Sequence, residues 1–152
     1  KMERLDLGKL LRQTLADRKD TIEETSFQLR VNLPEEEVMV LADGQRMYRV
    51  FANLIENALK YSLEGSRIFL TLKKVDGKAE VRIQNTSKEE LKEGKDFTER
   101  FVRGDESRTD GGSGLGLSIA KSFTEACGGD FHVETAGDSF TVLVAFPEDG
   151  ER

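Results

Sequence analysis

The chain contains one cysteine, Cys127, one histidine, His132, two prolines and no tryptophan among its 152 residues. A single thiol excludes an internal disulfide and a cysteine-rich metal site, and it fits a reducing compartment. Cys127 itself reads as core packing, the usual role of a free cysteine. No apolar run approaches the roughly 20 residues a membrane-spanning helix needs, and no secretory signal pattern opens the chain. A net positive charge is also lacking: 23 Lys and Arg stand against 29 Asp and Glu, a net charge of −6, which argues against a general grip on nucleic acid. An acidic protein still binds an anion locally, where backbone N–H groups and a few cations set the field. The first residue is Lys1, not Met, so the chain is expected to be a piece of a longer protein whose remainder can hold a membrane span.

The chain is 37% hydrophobic and 34% charged, enough for a core under a very polar surface. Its length suits one domain, expected over residues 1–152. Leu5, Leu7, Leu10, Leu11, Leu15 and Ile22 recur mostly at helical spacing, which predicts a helix over 5–25. Residues 27–33 alternate like a strand, Pro34 and three glutamates form a turn, and residues 38–41 predict a short buried strand. Asp43 is placed to cap a helix running to about residue 61, with Met47, Val50, Phe51, Leu54, Ala58 and Tyr61 as its apolar stripe. Residues 67–75 and 79–84 alternate around Asp76-Gly77, a hairpin signal. Residues 86–113 are polar apart from a short amphipathic piece around Phe97 and Phe101. A helix is expected over 115–127, with Ile119, Ala120, Phe123 and Cys127 on one face and Gly128-Gly129 as its stop. Strands at 130–135 and 139–146 end at Pro147. This order predicts an α/β (α+β) sandwich: a mixed, mainly antiparallel sheet of about five or more strands, covered on one face by three helices.

Residues 111–117 read GGSGLGL. Glycine permits left-handed backbone and close approach to a ligand. The first N–H groups of the following helix have no partners of their own and attract anions. A phosphate-cradling loop and a flexible linker are both open readings of such a run alone. A Walker loop is excluded, because Leu117 stands where Lys-Ser or Lys-Thr is needed. A dinucleotide fingerprint is excluded too, because the preceding FVRGDESRTD is unlike a strand. On the central helix, Asn53 and Asn57 share a face and lie with Lys60 along the edge of the apolar stripe. An Asn carbonyl oxygen can bind a hard cation such as Mg²⁺ without adding charge, and Lys60 can reach a phosphate. A solvated flank is the competing reading of these three residues.

Taken together, these segments resemble the catalytic and ATP-binding domain of sensor histidine kinases, within the wider group of Bergerat-fold ATPases and kinases. NLIENALKYS at 53–62 is similar to the N box of that family, FTERFVRGD at 97–105 to its F box, and GGSGLGLSIAKS at 111–122 to its second glycine box. The resemblance covers nearly the whole chain. It implies ATP and Mg²⁺ as ligands, with Asn57 and Lys60 as catalytic groups: Asn57 binding the metal, Lys60 contacting phosphate. It implies that Tyr61 lies at the adenine or ribose, and that Gly112, Gly114, Leu115, Gly116 and Leu117 supply the phosphate loop. Segment 98–113 corresponds to the ATP lid. There Phe101 and Arg103 belong to the nucleotide site, and Arg100 and Arg108 are further cationic candidates. In hydrolysing relatives a Glu four residues before the metal-binding Asn activates water; here Asn53 stands there, and an amide is no general base near neutral pH. Phosphoryl transfer to a protein is therefore favoured over hydrolysis.

The chain also departs from the pattern. The first glycine box, usually Asp-x-Gly-x-Gly, is replaced by Asn85-Thr86-Ser87-Lys88-Glu89. Asn85 falls where the family has the Asp that accepts from the adenine amino group; an amide accepts that bond more weakly. Ser139-Phe140 replaces a frequent Gly-Thr in the last hairpin. His132 is in no acceptor motif, so the phosphoacceptor is expected outside the chain. The implied partners are the dimerisation and phosphoacceptor helical domain of the same protein and a downstream response regulator. No nucleic-acid partner is expected, the isolated domain is expected to be monomeric, and its place is the cytoplasmic part of a membrane-bound bacterial sensor. A serine kinase or anti-sigma factor of the same fold, and a pseudo-kinase scaffold with weakened adenine binding, are the alternative readings.

Overall fold

A computed structural model describes residues 1–91 and 113–149, with the backbone alone described over 113–116. Along these residues run β1 (Met2–Asp6), α1 (Leu7–Ala16), α2 (Lys19–Glu23), β2 (Gln28–Asn32), β3 (Met39–Asp43), α3 (Gly44–Tyr61), β4 (Arg67–Val75), β5 (Lys78–Thr86), α4 (Ser113–Ala126), β6 (Asp130–Ala136) and β7 (Ser139–Pro147). Five strands form one sheet in the order β2-β4-β5-β7-β6. β2 lies parallel to β4, and the other pairs of that sheet are antiparallel. A parallel pair needs a crossover, and β3 with α3 supplies it. β1 and β3 form a separate antiparallel pair.

Strand periodicity explains why one face is covered. Ile68, Leu70 and Leu72 of β4, Ala79, Val81 and Ile83 of β5, and Val142, Val144 and Phe146 of β7 are buried. They join Leu7 and Leu11 of α1, Phe51, Leu54 and Ala58 of α3, and Leu117 and Ala120 of α4 in one core. The alternate positions face away from the helices, as Phe69 does at 40% exposure. Asp76 and Gly77 both have positive φ, 51° and 80°, as the two central residues of a type I′ hairpin turn require.

Three expectations need correction. Residues 5–25 do not form one helix. Met2–Asp6 pair with β3, and Asp6 ends the strand by capping α1, its carboxylate accepting from the Gly8 N–H at 3.1 Å. The helical run breaks after Ala16, where the Arg18 side chain turns to Tyr48 and Glu56 of α3. Residues 38–41 are not a wholly buried strand: Val38, Val40 and Ala42 are buried and Leu41 is 49% exposed, as one covered face of a two-stranded sheet dictates. The last helix begins at Ser113, two residues before the expected start; from Leu117 on its buried positions are Leu117, Ala120 and Thr124, and Cys127 is buried just past its end. Ile119 and Phe123 are half-buried at its side.

The stop of α4 matches its sequence. Gly128 has φ +84°, its N–H donates to the Glu125 carbonyl, and the Gly129 N–H donates to the Thr124 carbonyl, both at 3.0 Å. This is a Schellman closure. A Cβ on Gly129 would stand 2.5 Å from Cε1 of Phe146 and 2.9 Å from the Ala145 carbonyl oxygen. Gly129→Ala should therefore destabilise the domain by about 1–3 kcal/mol through overpacking. In urea unfolding the midpoint falls with an unchanged slope, and Phe146→Leu in the same chain recovers part of the loss.

Candidate nucleotide-binding site

The site is built on α3. Asp43 starts this helix by accepting from the Arg46 N–H at 3.1 Å. Met47, Val50, Phe51, Leu54, Ile55 and Ala58 are buried, and Asn53, Asn57, Lys60 and Tyr61 are half-buried beside them. Arg46, Arg49, Asn53, Asn57 and Lys60 follow one another at steps of three and four, so they form one strip along the helix. Arg46 and Arg49 lie over the Phe123 ring of α4, 5.2 and 5.7 Å from its centroid. Each such contact is worth about 0.5–1 kcal/mol at an exposed site. Lys60 Nζ lies 5.8 Å from the centroid of the Tyr61 ring.

An acidic group at the edge of this strip is paired. Arg18 donates to Glu56 at 2.8 Å and to the Tyr48 hydroxyl at 3.0 Å. The Tyr48 hydroxyl donates to Asp17 at 2.5 Å. That bond, with the Gln13 amide, holds the Asp17 carboxyl below the usual carboxylate range. Glu56, three residues after Asn53 and four before Lys60, borders the strip, and its charge is taken up by Arg18 from the α1 side.

The C-terminal end of α3 is joined to the sheet. The Ser62 hydroxyl donates to the Ala58 carbonyl. The Leu63 N–H donates to Thr86 at 2.8 Å, the Lys88 N–H to Tyr61 at 3.0 Å, and the Ser87 N–H to Asp138 at 2.7 Å, each to a backbone carbonyl. Ser62 and Ser87 form an isolated bridge. Lys60 and Tyr61 are thereby held beside the end of β5. There Asn85 is 5% exposed, alternates with Ala79, Val81 and Ile83 on the helix-facing side, and opposes Phe140 of β7.

The glycine run differs from the expected loop. Gly114, Leu115, Gly116 and Leu117 lie within α4, and Leu117 is buried in the core. The burial of Leu117 and Ala120 fixes the helix from its second turn, and the turn before it continues the same backbone. The capacity to bind an anion survives this change, because the first four N–H groups of a helix lack internal partners. Gly112, Phe101 and Arg103, with Arg100, Arg108 and residues 98–112 of the expected lid, lie outside the described residues. His132 is exposed on β6 between buried Phe131 and half-buried Val133, as an ordinary strand residue. Cys127 is core, as expected.

Among the described residues, no group of three or more His, Cys, Asp or Glu side chains could hold a metal ion. A divalent cation there needs oxygen from an amide and from the ligand's own phosphates, the donor set Mg²⁺ prefers. Sequence reasoning overlooked Ser62, Arg46 and Arg49. The steps 46, 49, 53, 57 and 60 were the available signal for the two arginines; nothing local marked Ser62.

Comparison with known proteins identifies the architecture. Residues 42–149 match the family described as histidine kinase-, DNA gyrase B-, and HSP90-like ATPase. The chain is 35% identical over 150 residues to the sensor protein VanSC of Enterococcus gallinarum, covering 96% of the chain and 41% of that protein. It is 32% identical over 146 residues to the sensor histidine kinase WalK of Bacillus subtilis, covering 90% of the chain and 24% of that protein. It thus spans less than half the length of either relative. The catalytic domain of histidine kinase ThkA superposes with a TM-score of 0.84 at 21% identity, covering 97% of this chain and 96% of that one. ThkA has also been solved in complex with the response regulator TrrA; that kinase aligns with a TM-score of 0.76 at 21% identity, covering 97% of this chain and 42% of that one. The family match spans most of the chain and includes α3, the end of β5 and α4, so the chain belongs to the histidine kinase-, DNA gyrase B- and HSP90-like ATPase family.

Proposed function

We propose that this chain, as one domain, is the catalytic ATP-binding part of a sensor histidine kinase and transfers the γ-phosphoryl group of ATP to a histidine on a separate helical dimerisation domain of the same protein. The observation that carries this reading is a convergence at one end of the sandwich. Asn57, Lys60, Tyr61 and Asn85 lie on α3 and β5, whose ends are joined there by backbone hydrogen bonds, and α4 packs beside α3 with Leu117 and Ala120 in the same core. The Asn57 carbonyl oxygen is the protein ligand for Mg²⁺, which supplies charge neutralisation on the phosphates when bound. Lys60 and the α4 N–H groups take the remaining phosphate charge. The resemblance adds Phe101, Arg103 and Gly112 to the same site, and these three lie outside the described residues.

Asn53 decides the reaction type. It occupies the strip one turn before Asn57 and offers no basic atom to activate water. Transfer then depends on positioning and charge stabilisation by groups already in place. The ThkA–TrrA complex supports a downstream response regulator as the next acceptor, and the relatives' names support a bacterial sensor protein as the setting; a membrane-bound sensor with this domain on its cytoplasmic side is part of the same proposal. No helix among the described residues is long and apolar enough to cross a membrane.

Calorimetry with ATP tests the reading directly. Binding should be Mg²⁺-dependent, and Asn57→Ala should abolish the gain in affinity that Mg²⁺ gives while leaving the free energy of unfolding within about 0.5 kcal/mol, as for a surface change. Unchanged Mg²⁺ dependence in that variant places the metal elsewhere. A second expectation concerns turnover: without an acceptor domain, phosphate release from bound ATP stays at the uncatalysed background. Sustained release by the chain alone, measured with a phosphate sensor, overturns the role given to Asn53.

A further inference from the structure

Asn85 is out of place by the pattern of its strand. Its side chain faces the helices in line with Ala79, Val81 and Ile83, and its cross-strand neighbour is the buried Phe140. It is 5% exposed, yet its amide makes no hydrogen bond among the described residues. A buried amide without a partner is costly. Among the described residues, Thr124 Oγ1 is the side-chain polar atom that is both sealed from the surface and unpartnered. The Asn85 amide, also unpartnered, is therefore not fully sealed from the surface at the end of β5. The neighbouring amide does not share this state: Gln84 lies on the other face of the strand and donates to the Ser139 hydroxyl at 2.8 Å.

We propose that Asn85 reads position 6 of a purine base, accepting from an amino group or donating to a carbonyl there, so that the pocket takes guanine nucleotides as well as ATP. This rests on the nucleotide-binding reading of the site. Adenine presents a donor at position 6 and an acceptor at N1; guanine presents an acceptor at position 6 and a donor at N1. An asparagine carries an acceptor and a donor side by side, and that arrangement forms a bidentate match with one purine edge. Turning the amide by 180° about its terminal bond exchanges the two atoms and matches the other edge. A bond to a fixed neighbour would select one orientation, and among the described residues neither amide atom has one. A carboxylate at the same position accepts only. It would receive the adenine amino group and meet the guanine carbonyl with lone pairs facing lone pairs. The amide in place of the carboxylate thus trades strength of adenine binding for tolerance of the base.

Calorimetry on the chain with the Mg²⁺ complexes of ATP, GTP and purine riboside triphosphate, which has no group at position 6, tests this. ATP and GTP should bind within about tenfold of each other, and purine riboside triphosphate more weakly than either. Asn85→Asp should keep ATP and weaken GTP by about 100-fold or more, in the range by which a site built around one hydrogen-bonding group rejects its mismatch. Asn85→Ala, which leaves no polar group to bury, should bring the three nucleotides together and remains informative if the buried carboxylate prevents folding. Binding of ATP with GTP weaker by 100-fold or more in the unaltered chain overturns the inference and leaves the ATP reading standing. Equal effects of Asn85→Ala on all three nucleotides, with their order unchanged, also overturn it. Failure of every nucleotide to bind overturns the nucleotide reading itself.

Discussion

The junction between the end of α3 and the end of β5 sets the geometry of everything around the candidate site. A helix end leaves carbonyls without partners, and α3 has no glycine to close it: Ser62 continues in an extended conformation, with φ −82° and ψ 147°. The carbonyls are satisfied from outside the helix ladder. Ala58 accepts from the Ser62 hydroxyl, and Tyr61 accepts from the backbone of Lys88, beyond the end of β5. The helix therefore cannot end without the sheet, and the sheet end cannot shift without moving Tyr61. Lys60, Tyr61 and Asn85 hold their relative places through backbone groups, which is firmer support than side-chain packing gives. The turn between β6 and β7 is drawn into the same junction through Ser87 and Asp138.

Charge is sorted around α3 in a way the net charge of −6 does not suggest. Glu56 is paired with Arg18 on the α1 side. Arg46 and Arg49 rest on Phe123 on the α4 side. What remains on the strip is uncharged amide and Lys60. At close range, backbone donors and one or two cations outweigh distant surface carboxylates, whose fields are screened within about 10 Å. An acidic chain can thus present a locally anion-accepting helix face without any basic excess.

How much of this was legible in the sequence depends on whether the deciding contacts are local. The β4–β5 hairpin was legible because Asp76-Gly77 alone sets its turn. α3 was legible because its burial follows its own period. β1 was not: its residues are largely exposed, and its partner β3 lies tens of residues away. The break between α1 and α2 depends on Arg18 reaching Tyr48 and Glu56 across two elements, which no window of sequence contains. At the site, Asn57 and Lys60 could be picked out from spacing and from the boxes they resemble. Asn85 could be named as a departure, but its burial without a partner follows from the helix layer above it and from Phe140 beside it, and only the folded chain supplies those.

The start of α4 is the place where local preference and tertiary packing disagree most. Gly114 and Gly116 each cost about 1 kcal/mol relative to alanine within a helix, and the sequence alone therefore argues for a loop. Leu117 and Ala120 are buried against the core and carry the helix back to Ser113. The resulting first turn is cheap to rearrange, since little propensity favours it and its N–H groups have no internal acceptors. An anion placed against it would satisfy those donors and oppose the positive end of the helix dipole. The glycines thus lower the stability of this turn at the position where a ligand has the most to add. The buried residues one turn later hold the helix against the core, so a weak first turn and a firmly packed second one coexist within a few residues.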